Sequence, residues 1–260
     1  MYRLKFFLVI LILLMIINVS CNKSSKKDLS LTAKEYETMG MPDHTKLWSS
    51  QAYMRAFTVL SNIKLSNPLS FPRKNSKKSG AVFNCFVNKE NLSFVNDSAI
   101  PLMDKAFEIQ SLVGVQNKLI RAYTDDLKPE QYYDEDLIDS YIFGLHIHEK
   151  MLELAIEILN SEEESVINMK SGLKAVLNGY VQMSCVMLGE QIKSNVYRDN
   201  DLDRLSTEVS RSLIDNLKWI QPADRQRIGA QIQNTIEKAP SVHIKNNYRE
   251  ALKVFNNATN

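Results

Sequence analysis

Glycine and proline are scarce in this chain, with eight and seven residues respectively among 260. Because sandwiches and barrels need many turns, this scarcity argues against a turn-rich all-β fold. The chain also lacks an excess of charge. Arg3 and Lys5 are the only charged residues among the first 21, and beyond them basic and acidic residues are equal in number. A neutral body of this kind indicates no dominant contact with nucleic acid.

Motifs for the common catalytic chemistries are also missing. No GxSxG, phosphate-binding loop or GxGxxG pattern occurs in the sequence, so no catalytic residue, metal ligand or cofactor is assigned. The composition, 44% hydrophobic and 24% charged, is that of an ordinary globular protein. It excludes wholesale disorder and a polytopic membrane protein.

The N-terminus has three consecutive parts. A short basic region, residues 1–5, precedes an unbroken apolar run at 6–17, and residues 18–21 read Asn-Val-Ser-Cys. A helix of that apolar run rises only about 18 Å, which is less than the ~30 Å hydrocarbon core of a bilayer. The order basic, apolar, small is typical of a secretory signal peptide.

The end of the apolar run resembles the signal of bacterial lipoproteins. Ser20, a small residue, stands directly before Cys21, and polar residues follow. The resemblance covers residues 1–21. This segment is similar to the looser signals of Bacteroidetes lipoproteins, because Asn18 stands where the stricter motif has Leu. It implies that residues 1–20 are removed and that acyl chains are attached to Cys21. Plain secretion and an uncleaved anchor are the alternatives.

Acylation at this cysteine would decide where the protein resides. Two or more chains hold a protein stably on a bilayer without a spanning helix. We therefore expect the lipid bilayer to be a partner through acylated Cys21, with residues 21–31 as a flexible tether. The expected location is the bacterial cell envelope. Asn22, rather than Asp, after the cysteine favours the outer membrane.

The remaining residues, 32–260, are predicted to form a single all-α domain, a bundle of about six to eight helices. Apolar residues recur there at steps of three and four. Helices are predicted at 98–123, 137–159, 164–195, 203–220, 222–238 and 242–255, with a helical segment at 32–63 that breaks near Gly40. Residues 32–97 would hold N-terminal helices, a basic loop at 64–80 and a possible short β-hairpin near 81–96. Residues 98–260 would form the helical core, with 164–195 as its central buried helix.

Two histidines form the most suggestive chemical pattern. His146 and His148 stand close to Glu149 and downstream of four acidic residues, Asp134, Glu135, Asp136 and Asp139. On a helix, positions i and i+2 point about 200° apart, so these histidines cannot bind one metal from the same turn. His148 falls on an apolar stripe, which favours a hydrogen-bonded core histidine. A metal-dependent hydrolase is the less favoured alternative.

Two charged segments have a simple and a functional interpretation. The run Asp199–Asp203 begins like a calcium loop, but Arg204 and Ser210 stand where an EF-hand needs Gly and Glu. Capping of the next helix by Asp201 or Asp203 is favoured. The basic cluster of the loop suits a phosphate or lipid headgroup, although a solvated loop is favoured; its members are Arg73, Lys74, Lys77 and Lys78.

Four aromatic residues and two further cysteines are the remaining candidates for functional residues. The aromatic residues either line a ligand groove or occupy core positions; they are Trp48, Tyr132, Tyr133 and Trp219. Cys85 and Cys185 lie a hundred residues apart without metal spacing, so independent buried thiols are favoured over a disulfide.

Together these features predict a membrane-anchored envelope lipoprotein. Its helical domain is expected to serve binding or assembly, with a protein partner whose identity the sequence does not give. An immunity or inhibitor lipoprotein that acts against an exported toxin is the alternative.

Overall fold

The computed structural model describes residues 28–124, 133–194 and 197–258. Within these ranges the chain forms ten α-helices and no strand, which confirms the all-helical prediction. The helices are α1 (Ala33–Thr38), α2 (Ser50–Ser66), α3 (Gly80–Phe86), α4 (Leu102–Thr124), α5 (Asp134–Asn160), α6 (Glu164–Ile167), α7 (Lys170–Ser194), α8 (Asp199–Asn216), α9 (Pro222–Lys238) and α10 (Val242–Asn257). Three 3₁₀ helices span Pro68–Ser70, Lys89–Asn96 and Leu217–Trp219. The predicted number of helices is too low, because α3 was not anticipated and the segment at 164–195 divides into α6 and α7.

The predicted β-hairpin near residues 81–96 is wrong. That segment forms α3 and the 3₁₀ helix Lys89–Asn96. Val82, Phe83 and Phe86 are fully buried, and their spacing of one, three and four residues suits one side of a helix but not one face of a strand. Strand propensity depends on the packing context, and here the core of the N-terminal region prevails.

The central helix is α5, not the segment at 164–195 as predicted. Fourteen of the 27 residues of α5 are buried, and α5 contacts α4, α7 and α8. The second half of α7 buries a single stripe and leaves Met183 and Val186 nearly half exposed. The apolar composition of α7 therefore does not predict its depth in the fold.

Helices α4 and α5 approach closely at Gly144. A Cβ atom added to Gly144 would lie 2.2 Å from Nε2 of Gln116, a buried residue of α4. Such a distance is far below van der Waals contact, so the crossing requires glycine at this position. Gly172 and Gly179 on α7, by contrast, have nothing within 4 Å of an added Cβ.

Buried polar contacts hold the N-terminal region together. Asn91 accepts a hydrogen bond from the backbone N–H of Trp48 at 2.8 Å, and its Nδ2 donates to the hydroxyl of Tyr53 at 2.8 Å and to the carbonyl of Cys85 at 2.9 Å. The ring of Trp48 lies edge-on to Phe86, with ring centroids 5.0 Å apart. One amide thereby joins the start of α2 to the end of α3, which are distant in sequence.

The first described residues lie against the loop that follows α2. Ser76 Oγ donates to Asp28 Oδ2 at 2.7 Å, Ser30 is buried, and the N–H of Ala33 donates to the carbonyl of Lys78 at 3.1 Å. Residues 1–27, which include the predicted signal, Cys21 and most of the predicted tether, lie outside the described residues.

The C-terminal helices follow their sequence signals. Pro222 occupies the first turn of α9, and Ser241 caps α10 by accepting a hydrogen bond from the N–H of Ile244 at 3.1 Å. Helix α8 buries a regular stripe that contains Leu205, Val209 and Leu213. It begins at Asp199 and ends at Asn216, each four residues earlier than predicted.

Candidate functional site

The two cysteines within the described residues are free and buried, as predicted. Cys85 Sγ donates a hydrogen bond to the carbonyl of His44 at 3.1 Å. Burial raises the pKa of Cys85 to about 11 and that of Cys185 to about 12. Both therefore remain thiols at neutral pH, which is unfavourable for a nucleophile.

The structure separates His146 from His148. His148 is 3% exposed and stacks on the ring of Tyr180, with ring centroids 5.4 Å apart. Burial lowers the pKa of His148 to about 4. Its burial confirms the predicted core position, but the expected hydrogen bond is missing at Nδ1. His146 lies toward the surface, with Nδ1 3.2 Å from Oε2 of Glu149.

The acidic start of α5 belongs to a charge network rather than to a metal site. The N–H of Lys74 donates to Asp136 at 2.6 Å, and Lys74 Nζ lies 2.6 Å from Asp139. Asp139 also pairs with Arg204 at 2.6 Å. Burial raises the pKa of Asp136 to about 7. The network ties the basic loop, α5 and α8 together.

The acidic run at the start of α8 has a different role from the one predicted. The N-terminal cap is Arg198, and no side chain caps the helix, so capping by Asp201 or Asp203 is wrong. Asp201 pairs with Arg198 at 2.9 Å, and Asp203 accepts a hydrogen bond from Ser241. Asp201 therefore neutralises a neighbouring arginine, whereas Asp203 links α8 to the start of α10.

His44, which is isolated in sequence, lies beside two acidic residues. Within the described ranges, the one group of three or more possible metal ligands is Glu37, Asp43 and His44. Gly40, with φ +95°, makes the turn that brings these residues together. His44 Nδ1 lies 2.7 Å from Glu37, and Asp43 Oδ1 accepts hydrogen bonds from Thr45. These polar atoms have protein partners that account for their positions.

The aromatic candidates that the structure describes do not form a ligand groove. Trp48 and Tyr133 are buried, with Trp48 Nε1 donating to the carbonyl of Asp43 at 3.0 Å and the Tyr133 hydroxyl donating to that of Pro68 at 2.7 Å. Trp219 is partly buried under Lys218 Nζ, which lies 5.4 Å from the ring centroid. Tyr132 lies outside the described residues.

The most distinctive surface is the outward side of α2 and α4. We call it the α2–α4 face and define it by Met54, Thr58, Ser61 and Leu65 of α2 and by Asp104, Phe107, Ser111, Gly114, Lys118 and Arg121 of α4. Met54, Leu65 and Phe107 are 47%, 90% and 60% exposed. An open groove of about 410 Å³ runs between the two helices. Met54 lines this groove, and exposed apolar side chains of this kind mark a binding surface.

The charges of the α2–α4 face are separated along its length. Ser50 at the start of α2 donates two hydrogen bonds to Glu108 near the start of α4, while Lys64 and Arg121 line the same groove near the two C-terminal ends. The helices therefore run in the same direction. Asp104 and Glu108 lie at one end of the face, whereas Lys64, Lys118 and Arg121 lie at the other.

Sequence reasoning missed this face, because it arises only when α2 and α4 lie side by side. The signal that was available is the order of charges within α4, acidic in its first turns and basic in its last.

None of the helices in the described ranges is both long and apolar enough to span a bilayer. No protein-family model matches the chain, and no curated protein or solved structure shows significant similarity to it.

Proposed function

We propose that the protein is a lipid-anchored lipoprotein of the bacterial cell envelope, whose helical body serves binding or assembly at the membrane surface. The observation that carries the proposal is the order of residues 1–21, in which an apolar run too short to span a bilayer ends in Ser20 and Cys21. Acyl chains on Cys21 would hold the helical body on the bilayer.

The start of the body supports attachment at short range. Asp28 accepts a hydrogen bond from Ser76, so the chain is part of the fold from that residue onward. The seven steps from Cys21 to Asp28 extend at most about 25 Å. Lys77 and Lys78 are exposed beside this point, where they suit the anionic headgroups of a bilayer.

Binding or assembly is the role that the body supports best. The α2–α4 face presents apolar side chains and both signs of charge, whereas His146, His148, Asp136 and Asp139 are buried or have partners within the fold. A protein partner fits this open face better than a small molecule, because small-molecule sites enclose most of their ligand.

Membrane release distinguishes an acyl anchor from electrostatic adsorption. We expect detergent, but not high salt, to release the wild-type protein from envelopes, since salt screens charges and leaves acyl chains inserted. Cys21→Ala should release the protein or block removal of residues 1–20, whereas the matched variant Cys85→Ala should be processed and remain attached. Release of the wild type by salt, or by the double change Lys77→Glu and Lys78→Glu, would contradict the anchor.

The proposed outer-membrane location is tested by density-gradient separation of the envelope. We expect the wild-type protein in the outer-membrane fraction. A shift of Asn22→Asp toward the inner membrane would identify the residue after Cys21 as the sorting signal, while inner-membrane wild-type protein would contradict the location.

A further inference from the structure

The order of charges along the α2–α4 face makes this face complementary to itself. We infer that it is the contact surface of a symmetric homodimer, in which two copies lie antiparallel and the acidic end of each meets the basic end of the other. A two-fold interface needs such self-complementarity, because residue i contacts residue j and residue j contacts residue i.

The register of the dimer follows from the spacing within α4. When the two-fold axis passes level with the midpoint between Leu112 and Val113, Asp104 stands opposite Arg121 of the second copy, because the two positions are equally far from the axis. Phe107 stands opposite Lys118 in the same way. Each copy thus places an exposed aromatic ring against a cation, a favourable combination when the pair is shielded from water.

Small residues occupy the centre of this register. Ser111 stands opposite Gly114, and a Cβ added to Gly114 meets nothing within 4 Å in the single chain. The backbones of two α4 helices can therefore approach closely at the axis. Met54 of α2 lies near the same level and adds an exposed apolar side chain to the centre.

The size of the face suits a dimer of ordinary stability. Helix α4 has 23 residues, so it is about 34 Å long, and two adjacent helices are roughly 20 Å wide. A face of these dimensions covers on the order of 700 Å², close to the ~800 Å² that each partner contributes to a standard interface.

A second copy accounts for more of the face than a small anionic ligand does. An anion would engage the cations Lys118 and Arg121 and leave Phe107 and Asp104 uncovered. A second copy covers both ends and the apolar centre at once, since each end of the face carries the charge that the other end requires.

The first test uses the full chain, produced in a bacterium and extracted in mild detergent. Light scattering measures the molar mass of the extracted protein. We expect the wild type at twice the mass of one chain and Gly114→Leu at the mass of one chain, because the added side chain fills the close approach at the axis. The matched control Gly179→Leu, which also meets nothing within 4 Å at Cβ, should remain dimeric. A monomeric wild type, or a dimeric Gly114→Leu, would overturn the inference.

Charge reversal provides the second test and identifies the register. Asp104→Arg and Arg121→Asp should each raise the dissociation constant of the dimer by about tenfold, since each places like charges opposite one another twice. The double variant should return it to near the wild-type value, because the two pairs are restored with their signs exchanged. A double variant at least as weak as the weaker single variant would overturn the proposed pairing. Circular dichroism checks that these exposed substitutions leave the helices intact.

The dimer does not rest on the acyl anchor. We expect a Cys21→Ala chain to dissociate from the membrane and still form the dimer, so failure of the anchor and failure of the dimer are separate outcomes.

Discussion

The two ends of the helical body are stabilised in different ways. Between residues 33 and 96, helices separated by long loops are joined by buried hydrogen bonds, most of all those of Asn91. Between residues 199 and 257, three helices pack through apolar stripes such as that of α8. We therefore expect a single buried polar group to carry far more of the stability in the first region than in the second.

The largest expected effect is that of Asn91→Ala. It leaves the N–H of Trp48 without its partner and removes the bonds to the Tyr53 hydroxyl and the Cys85 carbonyl. Because an unsatisfied buried group costs about 1–3 kcal/mol, we expect a loss of about 3–5 kcal/mol in the free energy of unfolding. Urea denaturation followed by circular dichroism measures it. Asn88→Ala, which removes the cap of the 3₁₀ helix Lys89–Asn96, should cost less than about 1 kcal/mol.

The pH dependence of stability tests a buried polar group of the central helix, His148. Because burial lowers its pKa from 6.5 to about 4, the unfolded chain binds a proton at a higher pH than the folded chain does. The stability from the neutral ring is complete above about pH 6.5 and is lost as the pH falls toward 4, by up to roughly 3 kcal/mol.

His148→Phe keeps an aromatic ring beside Tyr180 and should remove this part of the acid sensitivity. The matched variant His146→Phe, at a partly buried position nearer the surface, should retain it. Denaturation curves at several pH values check the difference, and an equal acid response in wild type and His148→Phe would contradict the buried neutral ring.

Gly144→Ala tests the close crossing of α4 and α5. We expect a loss of about 1–3 kcal/mol in unfolding free energy, because the added Cβ overlaps Gln116. Gly179→Ala on α7 should instead stabilise the protein by about 0.5–1 kcal/mol, since alanine favours a helix and the position is open. Thermal denaturation measures the change in stability of both variants. A stabilised Gly144→Ala would contradict the close approach of α4 and α5 at this position.

A smaller effect than those of Asn91→Ala and Gly144→Ala is expected for Ser241→Ala in the C-terminal region. The change removes the cap of α10 and the contact of Ser241 with Asp203, and we expect a loss of about 1 kcal/mol. A loss as large as that of Asn91→Ala in the same denaturation experiment would abolish the distinction between the two regions.

The same contrast explains which parts of the fold the sequence predicts. The C-terminal helices carry local signals, such as Pro222 in the first turn of α9 and Ser241 at the cap of α10, which do not depend on distant residues. Asn91 gives no such signal, because its partners are 43, 38 and six residues earlier in the chain. The segment around it therefore resembled a turn between two strands.

The α2–α4 face could also be predicted only in part. The acidic start and basic end of α4 can be seen in the sequence, but their meaning depends on α2 lying alongside. The depth of α5 and α7 could not be predicted from apolar content, because α5 buries polar groups such as Asp136 through contacts with the loop at Lys74.

The most direct measurement of the central proposal is mass spectrometry of the N-terminal peptide of protein isolated from envelopes. The account predicts that this peptide begins at Cys21 and carries the added mass of a diacylglycerol and an amide-linked acyl chain. An unmodified Cys21, or a peptide that still begins at Met1, would contradict it.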